Sequence, residues 1–354
     1  MTKNNTQTTP GVRAGEIKLG LDIHASTIVV VRKVDAQAEQ PPQRFTPEHF
    51  LAFAARQLEL AERVYSCYEA GPFGYVLHRQ LSVLGVSNLV VRPRDWDFYG
   101  EGVKTDGRDA RALCSCLDRY LAGNRGALCV VRVPSEAEES ARAVGRQRQA
   151  LSKERVRLIL RGKSAALLRG LRLSKDWWAP RVLPKLDLPA DLRAQLEAWQ
   201  RVLAGIDTEL QALTARLEQA APPGLPVGLG ALTWELITRE IGDWKRFKNR
   251  RQVASYTGLC PGERSSGQSR RQGCINRHGN PRVRLHLIET VWRLLMFQPH
   301  YKAIVKWLPA LSEPKLSAAR KKKIIVAIAR QLAVDLWRIN TGRSTAQALG
   351  LRVN

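Results

Sequence analysis

Hydrophobic residues in the first third of the chain change period several times. Ile17, Leu19, Leu21 and Ile23 alternate with other residues, and Ile28 to Val31 is a β-branched run after a short polar turn. This pattern over 16–34 predicts two strands. Residues 47–63 place Phe50, Leu51, Phe53, Ala54, Leu58, Leu60 and Ala61 at helical spacing. A strand is predicted from Val64 to Tyr68, stopping at Glu69-Ala70-Gly71-Pro72. A helix over 73–84 follows, then a strand over 86–91 closed by Arg92-Pro93, then a helix from Asp106 to about Ala122. Strands alternating with helices predict an α/β domain over 17–135, behind a flexible polar arm over 1–16.

The period changes again after 136. Leu192, Leu196, Trp199, Leu203, Ile206, Leu210, Leu213 and Leu217 follow one another at steps of four and three. That is the a/d seam of nearly four heptads. With a long Arg-rich helix over 137–172 and a join near Leu183-Pro184, it predicts either an antiparallel helical hairpin or a dimerising coiled coil over 136–221. Pro222-Pro223-Gly224-Leu225-Pro226 breaks the pattern. Helices at about 229–241, 250–257, 283–295, 299–308 and 317–340, around a Gly- and Arg-rich loop at 258–281, predict a mainly α domain over 222–354.

Composition narrows the class. Of 354 residues, 44% are hydrophobic, so a core can be buried; no apolar run of about 18 residues appears, and 1–15 lacks the apolar segment of a secretory signal. The six cysteines include no C-x-x-C pair; Cys114 and Cys116 read as small buried side chains, and a reducing cytoplasm is expected. The net charge of +25 is unevenly placed: residues 1–140 hold 17 basic and 17 acidic side chains. Segments 141–175 and 245–284 each hold 11 basic residues against one acidic, and 285–354 holds 12 against 3. Such clusters attract polyanions by counterion release, which points to nucleic acid.

Four carboxylates occupy distinctive places. Asp22 lies in the first strand, Glu69 ends a later one, and Asp106 and Asp109 open a helix one turn apart. Carboxylates at strand ends and a helix start can converge on a hard divalent cation, and a pair of such ions stabilises both oxygens of a phosphoryl transfer. Each also has a plain structural use. Asp22 can cap a turn, Asp106 can cap a helix with Asp109 complementing its dipole, and Glu69 can sit at the surface. His24 reads as a packing or hydrogen-bonding residue rather than a ligand. Trp199, Trp234, Trp292 and Trp337 read as core, whereas Trp177, Trp178 and Trp244, beside basic runs, suit either core or base stacking.

Together the motifs G-L-D-I-H, Y-E-A-G-P and K-T-D-G-R-D-A resemble those of the Asp-Glu-Asp-Asp (DEDD) transposases of bacterial insertion sequences. P-G-L-P-V-G-L-G, I-G-D-W-K-R-F, Y-T-G-L-C-P-G-E-R-S-S-G and I-N-R-H-G-N-P-R-V-R resemble that family's C-terminal blocks, so the resemblance runs from about 17 to 343. Arg277 stands where a Lys is usual and Val283 where a Leu is usual. The resemblance implies an N-terminal domain similar to the Holliday-junction resolvase RuvC, of RNase H-like fold, with Asp22, Glu69, Asp106 and Asp109 as a tetrad for Mg²⁺, for which Mn²⁺ can substitute. It implies a helical coiled-coil linker and a helical C-terminal domain carrying a catalytic serine, Ser266, with Ser265 as the adjacent competitor. It further implies recombination of donor and target double-stranded DNA guided by a structured non-coding bridge RNA. The assembly would be a homodimer or tetramer with composite sites, cytoplasmic and nucleoid-associated.

The chemistry is coherent with those parts. A serine can store a broken phosphodiester as a phosphoserine ester but needs activation to attack. Arg264, Arg270, Arg271 and Arg277 surround Ser266 in sequence, and a guanidinium fork suits phosphate. Arg282, Arg284, Lys245, Arg246 and Lys248 nearby, with Arg155, Arg161 and Lys163 in the first linker helix, complete the expected nucleic-acid grip. Three other readings use fewer parts: a RuvC-like junction or flap nuclease working from the carboxylates alone, a non-catalytic nucleic-acid binder, and a sugar-kinase-like ATPase. The last lacks a Gly-rich phosphate loop.

Overall fold

The computed structural model describes residues 13–93, 105–263, 265–267, 269 and 271–353. The chain divides into two compact units between Val133 and Pro134. The first is built on a five-stranded mixed sheet: β1 (Ala14–Ile23), β2 (Ile28–Val34), β3 (Gln43–Phe45), β4 (Ala61–Glu69) and β5 (Ser87–Val91), in the order β3-β2-β1-β4-β5. β1 runs antiparallel to β2 and parallel to β4, and β4 runs parallel to β5. Helices α1 (Pro47–Leu60) and α2 (Val76–Leu84) cover one face, where Ile17, Leu19 and Leu21 pack with Phe50, Ala54 and Leu81. Helix α3 (Asp106–Leu121) covers the other, with Ala110 and Cys114 against Val29 and Val31.

The seat of α3 depends on Gly20. A Cβ there would lie 2.2 Å from the Ala110 carbonyl oxygen and 2.4 Å from the Cys114 nitrogen, closer than any side chain tolerates. Below that contact, Lys18 is buried and bonds Asp118 at 2.6 Å; Lys33 bonds the other Asp118 oxygen at 2.6 Å. Burial opposes the charge on Asp118, yet the two lysines outweigh it and hold its carboxyl below the usual range. Cys114 and Cys116 are fully buried, as expected of small core side chains, and burial pushes the Cys114 thiol up to about 12.

The second unit begins with α4 (Glu136–Leu167), whose start is fixed by a capping box between Ser135 and Glu138. α5 (Ala190–Gln219) packs along it. Leu192, Leu196, Leu203, Leu213 and Leu217 of the heptad seam are buried, and Trp199, Ile206 and Leu210 are half-buried. Helices α6 (Ala231–Ile241), α7 (Arg250–Thr257), α8 (Pro281–Phe297), α9 (Lys302–Leu311) and α10 (Ala318–Asn340) enclose a core that includes Ile237, Leu287, Val291, Ile328 and Leu332. α4 and α5 join α6 directly: Val144, Leu213 and Leu217 pack against Leu232 and Leu236, and Arg146 bonds Glu240.

The structure departs from the sequence expectations in several places. Ala14–Glu16, assigned to a flexible arm, already belong to β1, and residues 1–12 of that arm lie outside the described residues. α1 ends at Leu60 and β4 starts at Ala61, three residues before the predicted strand, because buried Ala61 serves the strand as well as the helical pattern. The first linker helix ends at Leu167, not near 172. The stretch 258–281, read as loop, contains the antiparallel pair β6 (Pro261–Glu263) and β7 (Gln272–Ile275). Of the two uses left open for Trp177 and Trp244, the core is the one observed: both are buried, and Trp177 is fully enclosed and donates to the Ile159 carbonyl at 3.1 Å. Trp178 is half-buried beneath the Arg155 guanidinium, 4.4 Å from the ring centre. Trp292, expected in the core, is 41% exposed, with the Lys321 ammonium over its ring. Trp234 and Trp337 are buried as expected.

Candidate active site

Asp22 stands near the end of β1 and Glu69 at the end of β4. These strands are parallel neighbours with Leu21 opposite Tyr68, so Asp22 and Glu69 come next along the pair. Asp106 and Asp109 lie in the first turn of α3, which Gly20 lets settle onto β1. Acidic groups in a first turn complement the helix dipole. The result is a cluster in which Asp22, His24 and Asp106 offer ligand atoms all within 4.8 Å of one another. Burial raises the Asp22 carboxyl above the usual range; Asp106 and Glu69 add to this, and His24 opposes it. Asp109 follows Asp106 by three residues on the same helix, hence on the same face.

Two further residues reach the cluster, of which only Arg44 went unread in the sequence. The His24 ring nitrogen Nε2 lies 3.3 Å from Asp22 Oδ2 and 3.7 Å from Asp106 Oδ1, so of its two expected uses, packing and hydrogen bonding, the structure shows the second. Arg44, next to the short strand β3's Phe45, places Nη2 3.3 Å from Asp106 Oδ2. Two carboxylates this close, with a third raising the charge density, suit a hard divalent cation that prefers oxygen ligands. The imidazole is a poorer ligand for Mg²⁺ and better placed as a hydrogen-bond partner of Asp22. The donor set therefore fits Mg²⁺ or Mn²⁺.

The serine region is a β-hairpin. Ser266 and Ser269 close its tip through two backbone bonds of 3.1 and 3.0 Å, and Gly267 takes φ 55°, the left-handed conformation a tight hairpin turn requires. Ser266 is exposed. Ser265 is also exposed but donates its hydroxyl to Glu263 Oε1 at 2.8 Å. The base of the hairpin is tight. A Cβ on Gly279 would lie 2.2 Å from the Gly258 nitrogen, and Arg277 beside it has φ 59°. Arg284 donates Nη1 to the Thr257 and Arg277 carbonyls at 3.1 and 3.4 Å.

The predicted grip residues fall into two groups. Lys245, Lys248, Arg161, Arg271 and Arg277 are exposed, and Lys163 is half-buried. Arg155, Arg246, Arg282 and Arg284 are engaged inside the second unit. Arg155 bonds Asp207 at 2.5 Å, and Arg246 stacks on Phe247 and Tyr256. Arg282 bonds Gln149 at 2.7 Å and lies 3.8 Å from Glu240. Arg264 and Arg270 lie outside the described residues. Among the described residues, no helix is long and apolar enough to cross a membrane.

A unit of small net charge with clustered carboxylates and a second, strongly basic unit that bears the hairpin define a class of protein that works on nucleic acid. Comparison with known proteins makes it specific. Residues 227–306 match the family described as "Transposase IS116/IS110/IS902 family". The chain is 32% identical over 304 residues to y4rJ of Sinorhizobium fredii, whose name is that of a transposase, covering 77% of this chain and 76% of that protein. It is 26% identical over 282 residues to a family 20 transposase of Pseudomonas aeruginosa, covering 73% and 78% of the two chains. It is 24% identical over 286 residues to the transposase for insertion sequence element IS1111A of Coxiella burnetii, covering 76% and 75%. The chain belongs to the IS116/IS110/IS902 family of transposases.

Proposed function

We propose that this transposase is an RNA-guided recombinase of an insertion sequence, and that it cuts and rejoins DNA by phosphoryl transfer through Ser266. The observation that carries the metal half is the convergence of Asp22 and Asp106, with Glu69 on the adjacent parallel strand. A sheet in this strand order, with carboxylates at the ends of its central strands, supports an RNase H-like reading of the first unit. Asp22, Glu69, Asp106 and Asp109 would hold Mg²⁺ or Mn²⁺, which when bound neutralises charge on a phosphate.

Ser266 is the nucleophile in this reading. Its hydroxyl is exposed at a hairpin tip, whereas the neighbouring Ser265 hydroxyl is tied to Glu263. The Ser266 Oγ–phosphorus bond forms as the bond to the leaving deoxyribose oxygen breaks, and that oxygen takes up a proton. The phosphoserine ester conserves the bond energy, so a hydroxyl from a second strand can reverse the step and join the ends. Exposed Arg271 follows the tip and exposed Arg277 stands at the root of the hairpin, and both suit non-bridging phosphate oxygens. The partners in this reading are donor and target DNA and a structured bridge RNA, with the protein as a homodimer or tetramer.

Ser266→Ala should bind DNA and RNA as before yet give no covalent protein–DNA adduct on a denaturing gel. An adduct that survives in Ser266→Ala and disappears in Ser265→Ala moves the role to Ser265. DNA cleavage that never passes through an adduct favours a junction or flap nuclease using the carboxylates alone.

A further inference from the structure

A second basic feature of the C-terminal unit lies in residues outside the predicted grip. α9 and α10 enclose a cavity of about 420 Å³ lined by Lys302, Lys306, Trp307, Arg330, Gln331 and Arg338. A second recess of about 290 Å³ continues it past the shared residues Arg330 and Gln331 to Arg250, Arg251 and Cys260. Cys260 directly precedes β6, so the trough ends at the base of the hairpin that carries Ser266 at its tip.

The lining has a polarity. Asp335, buried at the floor, accepts from Tyr301 Oη at 2.7 Å, Gln331 Nε2 at 2.9 Å and Arg338 Nη1 at 3.2 Å. Its charge is thus balanced by Arg338, and its oxygens fix the Gln331 amide with the carbonyl left for another partner. Lys302, Lys306 and Arg330 are exposed on the rim, with no carboxylate partner among the described residues. Trp307 is half-buried, with part of its surface open to the cavity. A polyanion's charge therefore belongs at the rim and a flat, uncharged group beside the tryptophan. Phosphate, planar ring and amide edge together describe a nucleotide. Paired bases in a duplex stay stacked on one another and cannot reach Trp307, so the nucleotide must be unpaired.

We propose that this trough binds an unpaired stretch of a DNA strand, with one base stacked on Trp307 and its phosphates on Lys302, Lys306 and Arg330, leading that strand towards the serine hairpin. The trough requires that the chain handles nucleic acid, as proposed above, but not that Ser266 attacks it. Measurement in the full-length Ser266→Ala protein therefore separates the two.

The test is fluorescence anisotropy with a labelled single-stranded oligodeoxynucleotide of roughly 12 residues, within the usual site size for unpaired strands. Lys306→Ala/Arg330→Ala should weaken binding and flatten the dependence of log Kd on log salt by about 1.4, since each lost phosphate contact on a single strand removes about 0.7. Trp307→Ala should weaken binding by about tenfold, whereas Trp307→Phe, which keeps a stacking face, should bind nearly as the parent does. A duplex of the same sequence should be insensitive to Trp307→Ala. Three results overturn the assignment: an unchanged salt slope in the double variant, an equal loss in Trp307→Phe and Trp307→Ala, or polyglutamate competing as well as DNA. Circular dichroism and the thermal midpoint of each variant verify folding; all the altered side chains are at least partly exposed.

Discussion

Replacing Gly20 with alanine tests whether the packing of α3 on β1 sets the carboxylate cluster. The new Cβ would start 2.2 Å from the Ala110 carbonyl oxygen, 2.4 Å from the Cys114 nitrogen and 2.8 Å from the Cys114 Cα. All three are backbone atoms, so no side chain can swing away. Relief to ordinary contact near 3.4 Å needs about 1 Å of movement between strand and helix. Overpacking of this kind costs roughly 1–3 kcal/mol. At about 4 °C per kcal/mol for a unit of this size, the midpoint of the first unfolding transition should fall by about 4–12 °C. The same 1 Å separates Asp106 and Asp109 from Asp22, because the helix start moves with the helix. Misplacement by that distance lowers a metal-assisted rate by roughly 10²-fold. The assay pairs a thermal melt with strand-cleavage rates across a Mn²⁺ titration, read below the melting range. The expected result is a fully folded protein whose cleavage is lost at low Mn²⁺ and recovers only in part at high Mn²⁺. A Gly20→Ala protein with the parent's midpoint and metal dependence would refute the claim that this contact positions the cluster.

Other substitutions probe the second unit. Glu240 is buried and accepts from Arg146 at 3.0 Å and from Asn280 at 2.9 Å; burial opposes its charge, but these partners and Arg282 hold its carboxyl below the usual range. A depressed carboxyl stabilises the fold at pH values above its unfolded-state pKa, and that gain is lost as pH falls through the native one. Glu240→Gln should therefore cost about 1–3 kcal/mol at neutral pH, and urea melts from pH 7 to 3 should show the parent losing its advantage at the acid end. Trp177→Ala should destabilise the second unit by about 3–5 kcal/mol, read from the same melts, because the fully buried indole fills the space beside Gly162. Chelation by EDTA should abolish strand cleavage while leaving DNA retention on a filter intact, and Mn²⁺ should restore it.

Much of this architecture is legible in the sequence where one physical pattern dominates. The steps of four and three from Leu192 to Leu217 could serve only a helix with one buried stripe, and that stripe is buried or half-buried throughout. The alternation at Ile17, Leu19 and Leu21 marks β1 in the same way. The α1–β4 boundary was obscured because Ala61 fits both periods. β6 and β7 were hidden because Pro-Gly-Glu and Gln-Gly-Cys-Ile are too short and glycine-rich to show any period; their pairing comes from the tight base at Gly258 and Gly279. Local charge left core and stacking both open for Trp177 and Trp244, since burial is decided by distant helices and not by neighbours in sequence. Of the site, the carboxylate positions were readable, but the contribution of His24 depends on Asp106 arriving from a helix some 80 residues away.

The hairpin that bears Ser266 rises from a tightly packed root. At the root, glycine backbones touch and Arg284 binds two carbonyls; at the tip, two backbone bonds between Ser266 and Ser269 close the turn. Change should therefore be tolerated unevenly along a very short segment. One methyl group added at Gly258 or Gly279 would meet backbone at the root and displace the whole ribbon, whereas Gly267 at the turn has open space around it. On the function proposed above, the ribbon would be a fingertip on a fixed knuckle, its reach set by the packing at Gly258 and Gly279.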